Sequence, residues 1–240
     1  MSGHSKWANI KHKKAKMDAQ KGKIYTRFSK LIIVAVREGG PDPNSNSRLR
    51  DVIEKAREAN MPNDNIIRAI KRGSGELGGG SYEEIMYEGY GPGGVAILVD
   101  ATTDNRNRTA GEIRHLFDKY GGNLGEAGCV AWMFEKKGVI LVEKKDGIDV
   151  DDVMMQAIDS GADDVEETED SIAITTSVDK FEAVKNGLKE ANIDVYSAEI
   201  SFVPKTTISV SEADGERLEK LLDALEDHDD VQNVYSNYAS

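Results

Sequence analysis

The chain has 240 residues, of which 39% are hydrophobic and 31% charged, and its net charge is −12. Such a chain can bury more than one modest core, and its longest apolar run, residues 31–36, is far too short to cross a bilayer. No apolar segment follows the basic start, so a secretory signal is not expected, and the single cysteine, Cys129, rules out an intrachain disulfide and fits a reducing cytoplasm.

The net charge conceals a division. Residues 1–37 hold ten Lys and Arg against one acid, a net of +9; residues 38–80 are neutral; residues 81–240 carry −21. Salt screens charge beyond about 8–10 Å, so contact with a polyanion depends on the local field, and the front of the chain offers a basic one.

In residues 2–20 the apolar periodicity is weak, and Lys11, Lys13, Lys14 and Lys16 repel one another. We expect an arm that orders on a polyanion. Its candidate nucleic-acid contacts are Lys6, Trp7, Lys11, His12, Lys13, Lys14, Lys16 and Lys21. The lysines suit phosphates, and an aromatic face such as that of Trp7 stacks on a base for about 1–3 kcal/mol. A helix is predicted from near Asp18, with Ile24, Phe28, Leu31, Ile32, Ala35 and Val36 on its buried stripe. Lys23, Arg27, Lys30 and Arg37 form the opposite, basic face, where Lys23, Arg27 and Lys30 extend the candidate interface. Gly39-Gly40, then Pro41 and Pro43, stop this helix. A second helix is predicted from about Ser47 to Ala59, capped by Asn46, with Leu49, Val52, Ile53 and Ala56 inward. A third carries Ile66, Ile67 and Ile70 and ends at Lys71, Arg72 and Gly73, where cations and glycine suit a helix C-terminus. The linker "GSGELGGGS" (73–81) follows.

Strands then alternate with helices. "YEEIMYEGY" (82–90) and "GVAILVD" (94–100) read as strands, and 106–119 as a helix with Ala110, Ile113, Leu116 and Phe117 inward. "CVAWMFE" (129–135) and "KGVILVE" (137–143) read as two further strands. Next come a helix near 150–160, a strand near 164–167, the strand "SIAITTS", a helix near 179–190 and a strand at 193–203. After Pro204 the chain gives "TTISV", a helix at 212–226 and "VQNVYS". From 137 to 204 the order is β-α-β-β-α-β, the ferredoxin-like pattern. The expected fold class is therefore α/β (α+β): residues 1–80 form a basic arm plus a three-helix domain, followed by two ferredoxin-like α/β domains. The third domain, 137–204, is inserted in the second, which 81–136 and 205–240 compose together.

No catalytic constellation emerges. The four histidines lack metal-ligand spacing with Cys129, which reads as core, and "DDVEETED" reads as a solvated face. "GYGPGGVA" (89–96) lacks the Lys-Ser/Thr of a phosphate loop and precedes a strand, so it reads as a tight turn. No metal, cofactor, small-molecule substrate or enzymatic activity is expected. "TTDNRNRT" (102–109) lies between a strand and a helix. Asp104 or Asn105 would cap that helix. Arg106 and Arg108, however, sit near a helix N-terminus, where cations are unfavourable, and such a placement suits a polyanionic or polar partner. Asp104, Asn105, Arg106, Asn107, Arg108 and Thr109 form the second candidate interface.

The stretches "GHSKWANIKHKKAKMDAQKGKIYTR", "EKAREANMPNDNIIRAIKRGSGE", "YEGYGPGGVAILVDATTDNRNRT" and "GGNLGEAGCVAWMFEKKGVI" occur in that order, and together they resemble the YebC family. Bacterial members of that family carry the label "probable transcriptional regulatory protein", and a mitochondrial relative is known as a translational activator of cytochrome c oxidase subunit I. The resemblance implies three domains, the third inserted in the second, and a cytoplasmic, non-enzymatic role in gene expression without a membrane partner. It points to the arm lysines with Trp7, and to residues 104–109, as the functional positions. Two roles are compatible with it. One is a DNA-binding regulator of transcription. The other is a ribosome-associated translation factor that binds ribosomal RNA and relieves stalling at proline-rich stretches. A lysine-rich arm suits phosphate contact more than base readout, and an acidic body would be repelled by duplex DNA alongside it, which favours RNA on physical grounds.

Overall fold

Helical spacing of apolar residues builds the first layer of the fold. The computed structural model describes residues 21–78, 80–145 and 147–239, with only the backbone of Lys21; Lys6, Trp7, Lys11, His12, Lys13, Lys14 and Lys16 lie outside the described residues. Helix α1 (Lys21–Gly39) buries Ile32, Ile33, Ala35 and Val36 against Leu49, Ile53 and Ala56 of α2 (Ser47–Glu58) and Ile66 and Ala69 of α3 (Asn63–Gly73). Asn46 joins two of these helices. Its Oδ1 accepts from Leu49 N (3.0 Å) to cap α2, while its amide donates to Ala35 O (2.8 Å) and Gly40 O (2.9 Å) at the end of α1. A Cβ at Gly39 would lie 2.7 Å from that side chain, so the glycine there admits the cap. Ile67, expected inward, is 43% exposed, because the buried face of α3 runs through Ile66, Ala69 and Gly73.

The chain continues as β1 (Glu83–Tyr90), β2 (Ala96–Thr103), α4 (Arg106–Lys119), β3 (Asn123–Leu124), β4 (Phe134–Glu143), α5 (Val150–Asp159) and β5 (Asp164–Glu167), then β6 (Ser171–Thr176), α6 (Phe181–Glu190), β7 (Val195–Pro204), α7 (Glu212–Glu226) and β8 (Val231–Ser236). Two four-stranded antiparallel sheets result, ordered β3-β1-β2-β8 and β5-β6-β4-β7. The second sheet has the ferredoxin-like arrangement expected from its element order. The first places its strands and two helices similarly, although the chain enters it through the β1–β2 hairpin. The turn of that hairpin needs Gly93 (φ 70°) and Gly94 (φ 77°), in the left-handed region that favours glycine.

Contacts among the described residues define two units. One contains Trp132–Ser209 with the chain from Asn237; the other contains residues 21–131 with Val210–Ser236, so the helices and the first sheet fall together. In the first unit, Ile140, Val142, Ile172 and Ile174 pack under Val153 and Ala157 of α5 and Val184 and Leu188 of α6. In the other, the sheet core holds Ile97, Leu98 and Val99 of β2, Ile113 and Phe117 of α4, and Leu218, Leu221 and Leu225 of α7, all buried.

Two strand expectations differ from the structure, and one short strand was not expected. The strand expected over 129–135 does not form as such: residues 129–133 are not in a strand. The buried carboxylate of Glu88 accepts from Gly128 N (2.6 Å), Val130 N (2.8 Å) and Ala131 N (2.7 Å), and donors committed to a side chain cannot join a ladder. Pairing starts at Phe134, and β4 runs unbroken through Lys136 and Lys137. "TTISV" contributes only an isolated bridge, Ile208 to Tyr238, and the short β3 had no counterpart in the sequence reading.

Candidate nucleic-acid interface

Thr103 ends β2, and Asn105 caps α4 by accepting from Arg108 N (3.1 Å). That geometry carries Arg108 and Thr109 toward Asp230, which precedes β8. The Asp230 carboxylate is a buried junction. Its Oδ1 accepts from Lys30 Nζ at 2.6 Å, and its Oδ2 accepts from Arg108 Nη2 at 2.8 Å and Thr109 Oγ1 at 2.7 Å. Burial opposes its charge, but the hydrogen bonds from Lys30, Thr109 and Arg108, with the Lys30 charge, outweigh burial and hold the carboxyl well below the usual range. Arg108 also donates to Asp104 Oδ1 (3.0 Å). The bond to Asp230, above all, raises the Arg108 guanidinium beyond its ordinary value.

Of the second candidate interface, then, Asn105 is a cap, and Asp104, Arg108 and Thr109 belong to an internal network. The cation that seemed misplaced at a helix N-terminus is neutralised by Asp104 and Asp230. Arg106 and Asn107 remain exposed.

The basic face of α1 is also engaged. Lys23 Nζ donates to Asp227 O (3.1 Å), Arg27 donates to Glu226 O, and Lys30 Nζ donates to Asp229 O (2.9 Å). These carbonyls lie at and just beyond the C-terminus of α7, where the helix dipole favours cations. Lys30 is only 7% exposed. Arg27 and Lys30, expected as nucleic-acid contacts, instead fasten α1 to α7, and Lys23 is partly exposed beside them.

Unpaired charge appears on α3. Arg68 and Arg72 are exposed, have no ion pair among the described residues, and line a polar groove of about 300 Å³ with Tyr25, Thr26 and Ser29 of α1 and Asn65 of α3. The sequence reading passed over Arg68 and placed Arg72 only as a helix C-terminal cation, although their i,i+4 spacing off the apolar stripe puts them on one helix face.

Glu112, His228 and Asp230 lie close enough to share a cation. Their bonding does not suit one. Lys30 and Arg108 already neutralise Asp230; His228 Nδ1 accepts from Asp230 N (3.1 Å), and its Nε2 lies 2.9 Å from Glu112 Oε2. Burial raises the Cys129 thiol, assisted by the Glu88 charge, which makes it a poor nucleophile.

A basic leading segment, a three-helix layer and two antiparallel α/β sheets define a multidomain α/β protein. The chain belongs to the TACO1/YebC family: residues 5–76 match the "TACO1/YebC protein N-terminal domain" and residues 82–238 the "TACO1/YebC second and third domain". It is 58% identical over 239 residues to a "Probable transcriptional regulatory protein" of Pelotomaculum thermopropionicum, covering 99% of this chain and 98% of that one. A protein of the same name from Acetivibrio thermocellus is 56% identical, with 99% of each chain covered. Among solved structures, the conserved hypothetical protein Aq1575 from Aquifex aeolicus superposes with a TM-score of 0.85 at 49% identity, over 98% of this chain and 96% of that one. No helix among the described residues is long and apolar enough to cross a membrane.

Proposed function

We propose that this chain is a non-enzymatic, cytoplasmic regulator of gene expression that works by gripping nucleic acid through its basic N-terminal segment. The charge division carries this reading: +9 over residues 1–37 against −21 over residues 81–240. The regulatory names of its relatives agree with it. The arm residues Lys6, Trp7, Lys11, His12, Lys13, Lys14, Lys16 and Lys21 supply the contacts, with exposed Arg106 and Asn107 as a secondary surface.

The family's usual name points to DNA. A second reading, binding to RNA on the ribosome, is favoured by one feature of the helices: the arginines of α3 line a concavity with α1. A base-reading helix must protrude into a major groove, whereas a concavity admits a single strand. Crosslinking in living cells, followed by sequencing of the bound DNA and RNA, separates the two. In solution, alanine at Lys11, Lys13, Lys14 and Lys16 should weaken binding evenly across sequences and flatten its salt dependence, by about 0.9 in slope per lost duplex contact. An unchanged slope would count against the arm.

A further inference from the structure

The groove between α1 and α3 has a specific division of donors and acceptors. On the α3 side, Arg68 and Arg72 stand one turn apart, and neither they nor the Asn65 carboxamide has a side-chain partner among the described residues. Asp64, one turn before Arg68, forms no ion pair with it. All the free groups on this side can donate, and guanidinium forks match phosphate oxygens bidentately. On the α1 side the hydroxyl protons are committed. Thr26 Oγ1 donates to Gly22 O (3.1 Å), Ser29 Oγ to Tyr25 O (2.8 Å) and the Tyr25 hydroxyl to Asn60 O (2.8 Å). With their protons so placed, those oxygens can accept through their remaining lone pairs.

A ligand that fits must carry negative charge along one edge and hydroxyl donors along the other. A free anion would meet acceptors on the α1 side. The backbone of RNA has both features, phosphates and ribose 2′-hydroxyls, and DNA lacks the second. We propose that the α1–α3 groove binds the sugar-phosphate backbone of single-stranded RNA, with Arg68, Arg72 and Asn65 on phosphates and Thr26 and Ser29 accepting from 2′-hydroxyls. The groove is also lined by Gly22, close in sequence to the basic residues 6–21. This proposal rests on the nucleic-acid reading above and names the polymer that the reading leaves open.

The test uses the full chain, with oligouridylate RNA and oligodeoxyuridylate DNA of equal length titrated between 50 and about 200 mM salt. The double variant R68A/R72A should bind both polymers about tenfold more weakly, and the slope of log affinity against log salt should fall by about 1.4, two single-strand contacts. R68K/R72K should keep most of that slope. T26V/S29A should lower affinity for RNA several-fold and leave DNA unchanged, narrowing the preference for RNA. Thermal melts of each variant should match the parent. If the parent chain binds and deletion of residues 1–20 abolishes binding, yet R68A/R72A changes neither affinity nor slope, the groove proposal is overturned while the nucleic-acid reading stands. If T26V/S29A weakens RNA and DNA equally, the ribose assignment is overturned. If the parent chain binds neither polymer, both proposals fall.

Discussion

Two pairs of arginines meet opposite ends in this molecule. Arg106 and Arg108 open α4, and Arg68 and Arg72 lie along α3. At the α4 site Arg108 is drawn into a network centred on Asp230, a residue 122 positions away in sequence, and only Arg106 projects freely. At the α3 site no acid among the described residues is positioned to pair, and both guanidiniums line a groove. A count of charges treats the four alike. What separates them is whether the fold delivers a counter-charge, and for Arg108 the buried one comes from a distant turn, with Asp104 adding a local one.

The sharpest way to break this comparison is to remove the counter-charge. Asp230→Asn would leave the Lys30 ammonium buried without its partner, at a cost of about 3–5 kcal/mol measured by chemical denaturation at neutral pH. The acid limb provides a second readout. Because the folded Asp230 carboxyl lies below its ordinary value, its stabilisation is complete above about pH 4, the unfolded value, and is lost as pH falls toward the folded one. Wild type should therefore lose stability below about pH 4 more steeply than D230N. Parallel acid limbs would mean that Asp230 is not the junction described. A smaller effect is expected at Glu88. Burial opposes its charge, but three backbone N–H groups outweigh that and lower its carboxyl. Glu88→Gln cannot satisfy all three donors and should cost about 1–3 kcal/mol, with hydrogen exchange accelerated at Gly128, Val130 and Ala131.

These two acids also mark where sequence reasoning stops. The helices were legible because a 3.6-residue period and a cap such as Asn46 are local signals, and the ferredoxin-like element order was legible because its strands and helices alternate at ordinary lengths. The 129–135 segment has strand composition, yet Glu88, some 40 residues earlier, takes its amides. The basic face of α1 read as part of the candidate interface because the carbonyls that receive it come from the end of α7, about 200 residues later. The arginines of α3 were visible at i,i+4, but Arg72 is also explained by the dipole of its own helix, and only the groove shared with α1 distinguishes the two roles.

The finest discrimination separates Arg106 from Arg108, only two residues apart. Arg108→Ala removes charge-assisted bonds to Asp230 and Asp104, and because the side chain is 43% exposed, solvent competes for much of their worth. The expected loss is about 1 kcal/mol, with Asp230 still held by Lys30 and Thr109. Arg106→Ala should change stability by less than about 0.5 kcal/mol, as for any exposed side chain without a partner, and so should the α3 pair. The contrast is read by melting each variant beside a nucleic-acid titration. Arg108→Ala should shift the melt more than the binding, and Arg106→Ala the binding more than the melt. If both substitutions lowered stability equally, Arg106 would belong to the internal network as well, and α3 would carry the only arginines among those four that the fold leaves free.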